Sequence, residues 1–64
     1  MSALAIAPLL QAAAKQPANP VFHYHLGMAY LGEGNLDKAN ASLQKALDLN
    51  PNFDGAADAR AVLA

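Results

Sequence analysis

The sequence contains no cysteine, which removes disulfides and thiolate metal sites as a means of holding so short a chain together. Its 64 residues make at most one domain, and a domain of that size buries only about 60% of its unfolded surface. Tryptophan and threonine are absent, and β-branched residues are confined to Ile6, Val21 and Val62. Sixteen alanines stand in their place, so local preference favours helix over strand along the whole chain. Charge is scarce: four Lys or Arg and five Asp or Glu leave a net charge of -1, with no basic cluster. A protein that neutralises phosphates needs such a cluster, so no nucleic-acid partner is expected. The one long apolar run, 3–14, has no positive residue ahead of it, is interrupted by Pro8 and is too short to span a bilayer. It reads as a buried helix, and no membrane partner is expected.

What the chain does carry is punctuation. Pro17-Ala18-Asn19-Pro20, Gly32-Glu33-Gly34-Asn35 and Asn50-Pro51-Asn52 divide it into four helical segments, at 3–16, 20–33, 36–49 and 54–63. Loops of about two to four residues make successive helices antiparallel neighbours, which predicts an all-α architecture. Asn19 is placed to cap the second helix, with Pro20 at the first helical position, where a missing N–H costs nothing. Pro8 falls about one and a half turns into the first helix and predicts fraying or a bend ahead of it. The second helix has one stripe of His23, Leu26, Gly27 and Tyr30 and another of Val21, Tyr24, Met28 and Leu31. A helix apolar around most of its circumference needs neighbours on several sides. The third is amphipathic, with Leu36, Ala39, Leu43, Ala46 and Leu47 on one face.

No constellation of catalytic residues emerges. His23 and His25, the only imidazoles, point about 200° apart on a helix and cannot hold one ion between them. His23 reads as a packed residue and His25 as a surface one. Ser42 has no base placed to activate it. Asp54 and Asp58 fall in the first turns of the last helix, where carboxylates favour the positive end of the helix dipole. Gly32-Glu33-Gly34 follows a helix and lacks the lysine of a phosphate loop. Asn40-Ala41-Ser42 has the pattern of a glycosylation acceptor but lies inside a predicted helix. No enzyme activity, cofactor or metal is expected.

An internal period does emerge. Shifted by 34 residues, Ala5 falls on Ala39, Leu9 on Leu43, Ala12 on Ala46 and Pro17 on Pro51. Within 20–53, Leu26, Gly27, Tyr30, Ala39, Leu43, Ala46 and Pro51 stand at fixed spacings. Gly27 and Ala39 are small where paired helices approach closely, Tyr30 and Leu43 fill the space between, and Pro51 stops the helix. In this frame the segment resembles one complete tetratricopeptide repeat. His23 occupies the slot that usually holds Trp, and Leu43 one often held by Phe. Residues 3–19 then resemble the second helix of a preceding repeat, and 54–64 the first helix of a following one or a terminal cap. Arg60, where the family has Leu, favours the cap. The whole chain, 1–64, is thus expected to form one domain, an antiparallel helical solenoid fragment of a longer bacterial-type array.

The resemblance implies a protein–protein interaction scaffold, with a peptide or helix in a groove lined by the first helices of successive repeats. The matching residues are Val21, Tyr24, Met28 and Leu31. The family's clamp for peptide carboxylates uses Lys, Arg and Asn there, where this chain has Tyr24 and Met28, so a C-terminal chaperone peptide is not the expected ligand. The rival expectation is a structural terminus that recognises no foreign ligand. Because repeats expose apolar faces that neighbours normally cover, self-association, as a homodimer, is also expected.

Overall fold

Four α-helices, α1 (Ile6–Lys15), α2 (Pro20–Gly32), α3 (Leu36–Leu49) and α4 (Ala56–Leu63), make up the fold of residues 5–64, which a computed structural model describes. The all-α architecture expected from composition and punctuation is the one that forms. Residues 3 and 4, assigned above to the first helix and to the half repeat 3–19, lie outside the described residues.

The helix ends are set by local chemistry. At the start of α2, Asn19 Oδ1 accepts the Val21 N–H at 3.0 Å, and Pro20 is the first helical residue. At its end, Gly34 adopts φ 81°. The Gly34 N–H donates to the Leu31 carbonyl and the Asn35 N–H to the Tyr30 carbonyl, both at 3.0 Å. This pair of bonds is a Schellman closure, and it requires a residue that tolerates the left-handed region. Gly32 needs no such freedom and stays within the helix. Asn35 then begins α3, its Oδ1 accepting the Lys38 N–H at 3.3 Å. Three residues therefore satisfy backbone groups at both facing helix ends.

The expected start of the first helix falls outside the described residues, and that of the last one shifts. α1 begins at Ile6, so Pro8 is its third residue. N–H groups of a first turn have no intrahelical acceptor, and Pro8 removes no bond there. α4 begins at Ala56, two residues later than expected, with Gly55 before it. The chain is held in turns through 51–55, where the Ala56 N–H donates to the Phe53 carbonyl at 2.9 Å. Asp54 therefore lies outside the helix, and only Asp58 is in its first turn.

Packing is organised by the α2–α3 hairpin. A Cβ at Gly27 would lie 2.7 Å from Leu43 Cγ, 2.8 Å from Leu43 Cδ2 and 3.2 Å from the Ala39 carbonyl oxygen. Leu43 is the one large side chain among the described residues with no exposure. On one side of the hairpin, Leu43, Ala46, Phe53, Ala56 and Ala59 join α3 to α4. On the other, Leu26, Tyr30 and Ala39 receive Ile6 and Leu9 of α1. Leu36, placed by periodicity on the buried face of α3, is instead 57% exposed. It is the first residue after the turn, beside the end of α2.

Two outcomes test this packing. Gly27→Ala gains about 1 kcal/mol of helix propensity but overpacks Leu43 at a cost of about 1–3 kcal/mol. The denaturation midpoint should fall, and the same substitution should cost less in a Leu43→Val background, where the contacting branch is shortened. Gly34→Ala has open space around its Cβ, so its cost is conformational alone, about 1–2 kcal/mol. Equal midpoints for wild type and Gly34→Ala would exclude the Schellman closure.

Candidate functional site

The turn after α3 and the start of α4 form one wall of a cleft, and α2 forms the other. Asn50 ends α3, and its Oδ1 accepts the Asn52 N–H at 3.0 Å. The following residue, Phe53, is turned inward and is 7% exposed. Gly55, two residues on, is also buried; a Cβ there would lie 2.8 Å from the Phe53 ring and 2.9 Å from that of Tyr24. The absence of a side chain at Gly55 thus lets Tyr24 of α2 lie against the turn. Its ring meets Phe53 edge-on, with centroids 5.5 Å apart at 62°. Arg60 reaches back from α4 to donate to the Pro51 carbonyl, which ties α4 to the same turn.

The resulting cleft, about 280 Å³, is lined by Val21, Tyr24, His25, Phe53, Asp54, Gly55 and Asp58. The Tyr24 hydroxyl donates to Asp58 Oδ2 across it, at a long 3.4 Å. Burial raises the Tyr24 phenol above its ordinary 10.0, with further contributions from the Asp58 charge and from that hydrogen bond. His25, tilted against the Tyr24 ring at 5.4 Å, has a buried Nδ1 with no hydrogen-bond partner. His23 is engaged elsewhere: its Nε2 donates to the Pro17 carbonyl at 2.9 Å and pins the α1–α2 loop. Among the described residues no group of three or more His, Cys, Asp or Glu could hold a metal ion, and no helix is long and apolar enough to cross a membrane.

The structure divides the apolar stripe of α2. Val21, 38% exposed, and Tyr24 line the cleft. Met28 packs on the Leu43–Phe53 core, and Leu31 packs on the Leu26–Tyr30 cluster, on the side that receives α1. The repeat-signature residues Leu26, Gly27, Tyr30, Ala39, Leu43 and Ala46 are buried, while Pro51 is exposed in the turn. The opposite wall of the cleft was not legible from the stripe alone. His25 reads in the sequence as a surface residue, and Asp54 and Asp58 as helix-dipole residues, whereas all three line the cleft. The missing signal is the repeat period applied to the stripe: 34 residues on from Val21 and Tyr24 stand Gly55 and Asp58.

A raised phenol pKa has a definite consequence for stability. The unfolded chain ionises Tyr24 first, so the contribution of this group is complete below pH 10.0 and is lost as pH rises through the folded-state value. Thermal melts at increasing alkaline pH should decline less steeply for Tyr24→Phe than for the wild type. Parallel declines would show that Tyr24 contributes nothing in that window.

A family model of the tetratricopeptide repeat matches residues 20–53, more than half of the chain. No protein of curated function and no solved structure matches it significantly. Repeats of this kind are protein–protein interaction modules and typically non-catalytic scaffolds. The matched segment is α2, the Gly34 turn, α3 and the first residues of the turn that follows, with Gly27 and Ala39 at the close approach. The chain belongs to the tetratricopeptide-repeat family.

Proposed function

We propose that the chain is a non-catalytic scaffold that binds an extended peptide or a helix across α2 and α4, with Val21 and Tyr24 as its principal contacts. The observation that carries this reading is the open cleft between those helices, walled by aromatic rings beside the buried Leu26–Tyr30 face of α2. Met28 and Leu31 support the groove from behind, since each is partly buried against one of the two core clusters. Peptides selected from a random library on the full 64-residue chain should lose about tenfold in affinity with Val21→Glu, the equivalent of about 1.4 kcal/mol. Val21 is exposed enough for that change to leave the fold intact. Selected peptides that bind Val21→Glu and Tyr24→Phe as well as the wild type would place the binding face elsewhere.

A second reading, self-association, is favoured by Leu10 and Leu36, 46% and 57% exposed on α1 and α3. Light scattering at concentrations on the order of tens of micromolar should then give a mass above 6.6 kDa. The change Leu10→Lys with Leu36→Lys should restore the monomer. A monomeric wild type that melts cooperatively would eliminate this reading and leave the groove reading untouched.

A further inference from the structure

The charges around the cleft are one-sided. Asp54 and Asp58 both line it, and none of Lys15, Lys38, Lys45 and Arg60 does. Two of these basic residues are engaged elsewhere: Lys38 stands over the Tyr30 ring at 5.6 Å, and Arg60 is bonded to the Pro51 carbonyl. Among the described residues Asp58 receives the long bond from the Tyr24 hydroxyl, at 3.4 Å, and no other side chain. Val21 and the Tyr24 and Phe53 rings share the lining with these acids, so apolar surface and negative charge face the same space. A lysine or arginine side chain has the matching anatomy, an aliphatic stem that prefers apolar surface and a cationic head that seeks carboxylates.

We infer that the cleft selects a cationic side chain from the bound peptide, its stem against Tyr24 and Phe53 and its charge received by Asp54 and Asp58. The inference rests on the groove reading above and specifies which peptides the groove takes. Both carboxylates are exposed, so their attraction is screened by salt and gives selectivity more than affinity.

The test uses three amidated, acetylated octapeptide pools, random except at one central position fixed as Lys, norleucine or Glu. Each is titrated onto the full-length chain while the backbone amides of Tyr24, Gly55 and Asp58 are followed by NMR. The Lys pool should bind about five- to tenfold more tightly than the norleucine pool, and the Glu pool more weakly than either. The preference should disappear in Asp54→Asn with Asp58→Asn, and at about 0.5 M salt. Equal binding of the Lys and Glu pools, or a Lys preference that survives the double substitution, overturns the charge selectivity and leaves the groove standing. Silence of all three pools at these amides overturns the groove reading and this inference together.

Discussion

The closest interlock in the fold is that of Gly27 with Leu43. With no Cβ at Gly27, α2 and α3 approach until Leu43 fills the gap, its branch carbons at distances no side chain at position 27 would allow. Leu43 is thereby completely enclosed and at the same time belongs to the cluster that receives Phe53, Ala56 and Ala59. The side chain that seals the hairpin is thus the one on which the turn and α4 are laid down. Small residues dominate the remaining contacts, with Ala29, Ala39, Ala46 and Ala59 fully buried. A chain without Trp and with few large side chains builds its core by bringing backbones close rather than by filling wide gaps.

That economy explains how much of the fold the sequence discloses. Where a boundary is set by a residue with a single local role, it can be read directly. Asn19 with Pro20 starts α2, Gly34 and Asn35 join the hairpin, and α3 runs over Leu36–Leu49 as periodicity predicts. Where a boundary depends on tertiary contact, it cannot. Asp54 and Gly55 look like a helix start, yet Phe53 must be turned inward and Gly55 must pass beneath Tyr24, and the chain reaches helical geometry only at Ala56. Leu36 carries the right periodicity for burial but stands beside the turn, where α2 has ended. Periodicity reports which face of a helix a residue is on, not whether a neighbour extends far enough to cover it.

The candidate site was legible by half for a related reason. A stripe along one helix identifies Val21 and Tyr24, but a cleft needs two walls. The second wall comes from a turn and a helix whose residues carry no apolar pattern of their own. Asp58 stands 34 residues after Tyr24, and the two side chains meet across the cleft. The meeting of α2 with the segment after α3 is what gives the stripe a second wall, and neither helix discloses it alone. With Tyr on one side and Asp on the other the cleft is asymmetric, aromatic on α2 and acidic on α4.

This asymmetry makes the cleft depend on the docking of α4. α4 is the shortest helix, with eight residues, and no side chain caps its start. It is held by alanine contacts to α3, by Phe53 and by the reach of Arg60 to the Pro51 carbonyl. Val62 and Leu63 of α4 pack on that core as well. Half of the cleft, and all of its charge, lies on α4 and the turn that precedes it. A ligand spanning both walls therefore binds only the docked arrangement, and by mass action it stabilises that arrangement in proportion to its occupancy. Conversely, any loosening of Leu43 propagates through Phe53 to the aromatic wall before it disturbs the hairpin caps, which are closed locally by Asn19, Gly34 and Asn35. The two ends of the interlock thus differ in consequence: Gly27 governs whether the repeat forms, and Leu43 governs also whether the groove beside it has two sides.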